Sequence, residues 1–83
     1  MLVMDFEGKN LADIQCFQVH KNLGGKAGQK WSVVGYTAHL VEASLMGGVI
    51  CGYYADEDQA KAELERAAAF FEENPGKVYR FSR

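Results

Sequence analysis

The chain is poor in reactive and cross-linking residues, with two cysteines, two histidines and one proline in 83 residues, and no apolar run approaches the ~18 residues a membrane helix needs. Two cysteines cannot hold zinc without other ligands. Cys16 and Cys51 both fall in strand-like segments among apolar neighbours, so buried, reduced thiols are expected instead of a disulfide. The imidazoles offer little to a thiol nucleophile: His20 shares strand parity with Cys16 but lies four residues on, about 13 Å along a strand. Only His39 against Cys51, across neighbouring strands, remains for such a pair. The amino-terminal residues show no basic stretch leading into an apolar one, and a cytoplasmic protein is expected. No metal and no cofactor are expected.

What is present reads as one soluble domain spanning residues 1–83. Hydrophobic residues make up 48% and charged residues 24%, the balance of a globular chain, and a chain of this size buries roughly 60 to 65 per cent of its unfolded surface. The net charge of −2 hides an asymmetry. Segment 56–73 carries seven acids against Lys61 and Arg66, a local −5, so the remainder is mildly basic at +3.

The hydrophobic period changes from two to about 3.6 within Ile50-Cys51-Gly52-Tyr53-Tyr54-Ala55-Asp56-Glu57-Asp58-Gln59-Ala60, which marks a strand ending and a helix beginning. Asp56 can accept from free N–H groups of the first turn and Gln59 can reach back, a variant of the capping box. The helix runs from Glu57 to about Glu73, with Ala60, Leu64, Ala67 and Phe71 on one stripe and Ala68 widening it. Phe70 lies off the centre of that stripe, as a shoulder of the core or a contact for a second chain. Asn74-Pro75-Gly76 stops the helix.

Before the helix, alternation predicts a strand from Leu2 to Phe6, a turn at Glu7-Gly8-Lys9-Asn10, and a second strand from Ala12 to Lys21 whose phase changes near Cys16 and Phe17, the mark of a β-bulge or edge twist. Residues 22–30, with Gly24, Gly25 and Gly28, form a flexible loop. A third strand follows from Trp31 to Ala38, apolar on both faces. Residues 39–46 fit a strand continuation or a helical turn, with strand favoured; Val49–Tyr54 is the fourth strand, in which Gly52 would let another backbone approach. Lys77–Phe81 alternates as a short final strand at a sheet edge. The expected class is α+β in two layers: an antiparallel sheet of about four to five strands with one long amphipathic helix on one face.

The run from Ile50 to Leu64, followed by Lys77-Val78-Tyr79, resembles a group of small bacterial and phage proteins that share an aliphatic-x-Gly-x-Tyr strand end, a capped acidic helix with Ala and Leu four apart, and a closing Lys-Val-Tyr. Here Asp56 replaces the more usual Ser or Thr cap. The resemblance covers roughly residues 49 to 81 and implies a fold; the group has no established activity to carry over.

The Gly-rich loop does not match a phosphate loop, because the glycine-to-Gly-Lys spacing is wrong and a strand, not a helix, follows. Asp56, Glu57 and Asp58 diverge at a helix start, where capping explains them. Lys21, Lys26, Lys30, Lys77, Arg80 and Arg83 beside Trp31, Tyr36 or Tyr79 could form a basic rim, but the overall acidity argues against nucleic acid. With no convergent catalytic set, the expected role is a non-enzymatic interaction module. It would pair with a second copy as a homodimer, or with another protein, through the sheet face or edge strand; the candidate contacts are Trp31, Tyr53, Phe70, Tyr79 and Phe81. The alternative is a phage-related protein binding a small anionic ligand or nucleotide at Lys26, Lys30 and Trp31.

Overall fold

Six strands and one helix form among the described residues, in the order β1 (Leu2–Met4), β2 (Leu11–Asp13), β3 (Cys16–Lys21), β4 (Trp31–Tyr36), β5 (Val49–Tyr54), α1 (Glu57–Glu73) and β6 (Tyr79–Arg80). The computed structural model describes residues 1–37 and 48–82. Residues 39–46, with the choice between strand and helix there, lie outside the described residues, as do His39, Ala38 and Arg83.

The α+β class holds, but the single sheet of four to five strands is replaced by two sheets of three, ordered β2-β1-β6 and β3-β4-β5. The second is antiparallel throughout, whereas β6 joins β1 in parallel. The cause of the division lies in the predicted second strand. The Ile14 amide donates to the Met1 carbonyl at the edge of β1, and the next amide, Gln15, donates to Tyr36 of β4. Two adjacent N–H groups therefore serve two sheets. The phase change read near Cys16 reflects this transfer, and Gln15 and Cys16 both meet Tyr36, the two-against-one arrangement of a bulge. Ile14 itself is fully buried beneath Gly35, where an added Cβ would come within 3.0 Å of the Ile14 side chain.

A second tie joins the sheets at β5. Val33 pairs with Gly52 but Val34 pairs with Ile50, which leaves Cys51 as the extra residue of a bulge. Its carbonyl accepts from the Phe6 amide at 2.8 Å, and Phe6 also stacks edge-on against Tyr53. Gly52 does not admit another backbone as expected; the space where its Cβ would stand is taken by the Tyr54 hydroxyl, 2.6 Å away.

The core gathers Val3, Ile14, Val33, Cys51, Tyr54, Ala60, Ala67 and Phe81 from both sheets and the helix. Burial of β4 on both faces agrees with its apolar alternation. Two expectations fail here: Cys16 is exposed, because it lies on the face of β3 turned away from α1, and Ala68 is exposed while Glu63 joins Ala60 and Ala67 on the buried stripe. The helix itself begins and ends as its sequence requires. Gln59 N–H donates to the Asp56 carboxylate at 2.8 Å, the Gln59 side chain accepts from the Ala55 amide, and Asn74 closes the last turn on the Phe70 carbonyl. It is not long and apolar enough to cross a membrane.

The β1–β2 connection is built on Asp5, which is only 4% exposed. Its carboxylate accepts from the Lys9 and Asn10 amides and from the Asn10 side chain at 2.7 Å. Burial alone would raise its pKa, but these hydrogen bonds outweigh burial and hold it below the ordinary carboxyl value. Replacing Asp5 with alanine strands two backbone donors and should cost about 2 kcal/mol at neutral pH, read from urea unfolding. Because the folded pKa is depressed, this contribution is complete above pH 3.8 and is lost as pH falls further; the gap between wild type and Asp5→Ala should close in that acid range.

Candidate functional site

Among the described residues the sheet edges differ sharply. Edge strands expose unpaired N–H and C=O groups, and proteins blunt them with short length, bulges or covering contacts. Strands β2 and β6 are edges of three and two residues. Strand β5 is an edge carrying the Cys51 bulge, whose carbonyl is already engaged by Phe6. Strand β3 is the fourth edge, six residues long, regularly paired to β4 over its full length, and without proline. Its outer face carries exposed Cys16, Gln18 and His20, and its inner face half-buried Phe17 and Val19. His20 is steadied by a 3.1 Å hydrogen bond between its Nε2 and the Tyr36 hydroxyl. A second exposed surface lies on the outer face of the β2-β1-β6 sheet, where Leu2 and Met4 stand beside Leu11, 58% exposed.

The aromatics named from sequence as contacts are largely used inside the fold. Phe81 is buried, 5.1 Å from the Tyr79 ring and 6.0 Å from Phe17. Phe70 is half-buried and lies edge-on to both Phe71 and Tyr79. Trp31 is half-buried against the core and Tyr53 is held by Phe6.

The most polar interior point is Glu63, 2% exposed on α1. Its Oε2 accepts from the Tyr79 hydroxyl at 2.9 Å and from Arg66 Nε at 2.8 Å, so the helix is latched to β6 through a buried carboxylate. Its hydrogen bond to Glu63 raises the Arg66 pKa, while burial first and the separate Tyr79–Glu63 hydrogen bond second raise the Tyr79 phenol. Tyr54 stands beside this group with its hydroxyl buried and, among the described residues, without a hydrogen-bond partner. Burial, and after it the Glu63 carboxylate, push its phenol well above the ordinary value. From sequence Glu63 counts only among the seven acids of segment 56–73 and is given no place in the core; its signal is its place three residues after Ala60 and four before Ala67, on the buried stripe.

The Gly-rich loop closes on itself. Asn22 N–H donates to the Lys30 carbonyl, Gln29 N–H to Lys26, the Asn22 side chain to Gln29, and the Lys30 ammonium to Gly25. Gly24 and Gly28 take positive φ at its turns. A cavity of about 750 Å³ lies between the β1–β2 turn, Gly28 and Gln29 of the loop, and the start of β5; a smaller one of about 380 Å³ lies beside Glu63, Arg66, Gln59 and Tyr53. Neither is lined by Lys26, Lys30 or Trp31. The Cys51 thiol, donating to the Val49 carbonyl, is pushed up to about 12 by burial. Among the described residues no group of three or more His, Cys, Asp or Glu is placed to hold a metal ion. No family model, curated protein or solved structure matches the chain.

The orphaned phenol and the buried thiol generate an alkaline prediction. Both fold with raised pKa values, so their contribution is intact below the unfolded values of 9.0 and 10.0 and is lost as pH rises through the folded ones. Unfolding midpoints in urea should fall from pH 9.0 upward, and Tyr54→Phe should flatten that fall. At neutral pH Tyr54→Phe removes a buried hydroxyl without a partner and should be neutral or stabilising by about 1 kcal/mol; a loss of that size would mean the hydroxyl has an acceptor.

Proposed function

We propose that the chain is a non-enzymatic interaction module that self-associates by strand addition at β3, an edge strand among the described residues. The observation that carries this reading is the contrast among the four edges of the described residues: β2 and β6 are three and two residues long, β5 is interrupted at Cys51, and β3 keeps one register with β4 from Cys16 to Lys21 and, among the described residues, is paired on that side alone. A non-enzymatic role is supported by the use of both buried carboxylates in structure, Asp5 in its turn and Glu63 on Tyr79 and Arg66. The anionic-ligand alternative draws on Lys26 and Lys30, yet the Lys30 ammonium already serves the Gly25 carbonyl and neither lysine borders a described cavity.

Light scattering after size exclusion, over a concentration series at low and high salt, tests the reading. A dimer that survives salt is expected, since strand addition rests on backbone hydrogen bonds and apolar side chains. Lys21→Pro removes an amide that points away from β4 and should weaken the dimer about tenfold or more with little change in thermal midpoint. Leu11→Glu, on the outer face of the other sheet, should leave the dimer intact. A monomer at high micromolar concentration, or a dimer lost with Leu11→Glu and kept with Lys21→Pro, would overturn the assignment to β3.

A further inference from the structure

Resting on the reading of β3 as the docking edge, we infer that two copies pair antiparallel about a two-fold axis through Val19. The hydrogen-bond phase of β3 restricts the choice. Asn22 N–H donates to the Lys30 carbonyl, and the register runs unbroken from Lys21 opposite Trp31 to Phe17 opposite Gly35. In an antiparallel pair the bonded positions alternate, so His20 and Gln18 direct their backbone groups to β4. Phe17, Val19 and Lys21 direct theirs outward.

A second β3 can bond only where outward groups meet outward groups, which puts the axis on a residue and not between two. Overlap of the full six-residue strand leaves Gln18 or Val19. An axis at Gln18 would set each Lys21 against Gln15 of the other copy, whose N–H is already donated to Tyr36, so the ladder would end short. An axis at Val19 uses every outward group of the strand: Val19 meets Val19, and Phe17 and Lys21 exchange both bonds in each half.

The side chains agree with that register. Val19 against Val19 continues the apolar inner face across the axis, where each is only half-buried in the single chain. Each Lys21 stem lies over the Phe17 ring of the other copy with its ammonium free to reach water. On the outer face Gln18 stands opposite His20 and can hydrogen-bond it. The two Lys21 ammonium groups are separated by four residues of strand, about 13 Å, beyond a Debye length of ~8 Å, so no like charges oppose the pairing. The result is one continuous six-stranded antiparallel sheet, β5-β4-β3 followed by the same three strands reversed, and it is isologous and closed.

Gln18 and His20 of opposite copies form a non-hydrogen-bonded pair with Cα atoms about 4.5 Å apart, within the reach of a disulfide. The test uses full-length Gln18→Cys and His20→Cys chains, each with Cys16→Ser so that buried Cys51 is the only other thiol. Oxidised separately, each should stay uncross-linked; oxidised as a mixture, they should give a covalent heterodimer on a non-reducing gel. Cross-linking of Gln18→Cys alone would place the axis at Gln18 and overturn the register while leaving the β3 edge in place. Absence of any cross-link from chains that light scattering finds dimeric would overturn the Val19 register. Monomeric wild-type chains would instead sink the underlying reading.

Discussion

The fold depends on the joint at Ile14 and Gln15, where successive amides serve different sheets. A strand long enough to run from Ala12 to Lys21 would have produced one sheet, with its hydrophobic side chains changing face midway and half of them turned to water. Breaking the run there lets each half keep its own register. Ile14 fits beneath Gly35, the Cys51 bulge turns a carbonyl toward Phe6, and the two three-stranded sheets share one core with α1. The Gly35 position shows how tight the joint is, since even a methyl group would press on Ile14.

Polar groups taken into this core are handled unequally. Asp5 and Glu63 each gather enough donors to justify their burial, the first closing a turn and the second fixing β6 to the helix. Tyr54 is the exception, its hydroxyl packed over Gly52 with no partner among the described residues. Its ring fills volume next to Cys51 and Ala60 in the core, and apolar packing is the gain that offsets the stranded hydroxyl.

The distribution of edges connects architecture to assembly. Among the described residues, six strands divided between two sheets give four edges instead of two, and short strands, a bulge and a covering contact account for three of them. On the strand-addition reading proposed above, one edge would stay competent while the others are blunted, so that association closes instead of propagating. The acidic character of α1 and the mildly basic remainder then bear on solubility more than on pairing, because the outward groups of β3 include only one charge, Lys21.

Local chemistry in the sequence was sufficient for the helix from Glu57 to Glu73, its Asp56 cap and Asn74 exit, the strand Val49–Tyr54, and the turn between β1 and β2, because capping, proline geometry and alternation act over a few residues. The same alternation marked the end of the chain as an edge strand, although the paired part is only Tyr79–Arg80. What only the tertiary structure decided was the partition into two sheets, the parallel pairing of β6, the burial of Glu63 and the exposure of Cys16. Each depends on which distant backbone groups meet: the Ile14 and Gln15 amides read identically in sequence, and their carbonyl acceptors, Met1 and Tyr36, lie in different sheets.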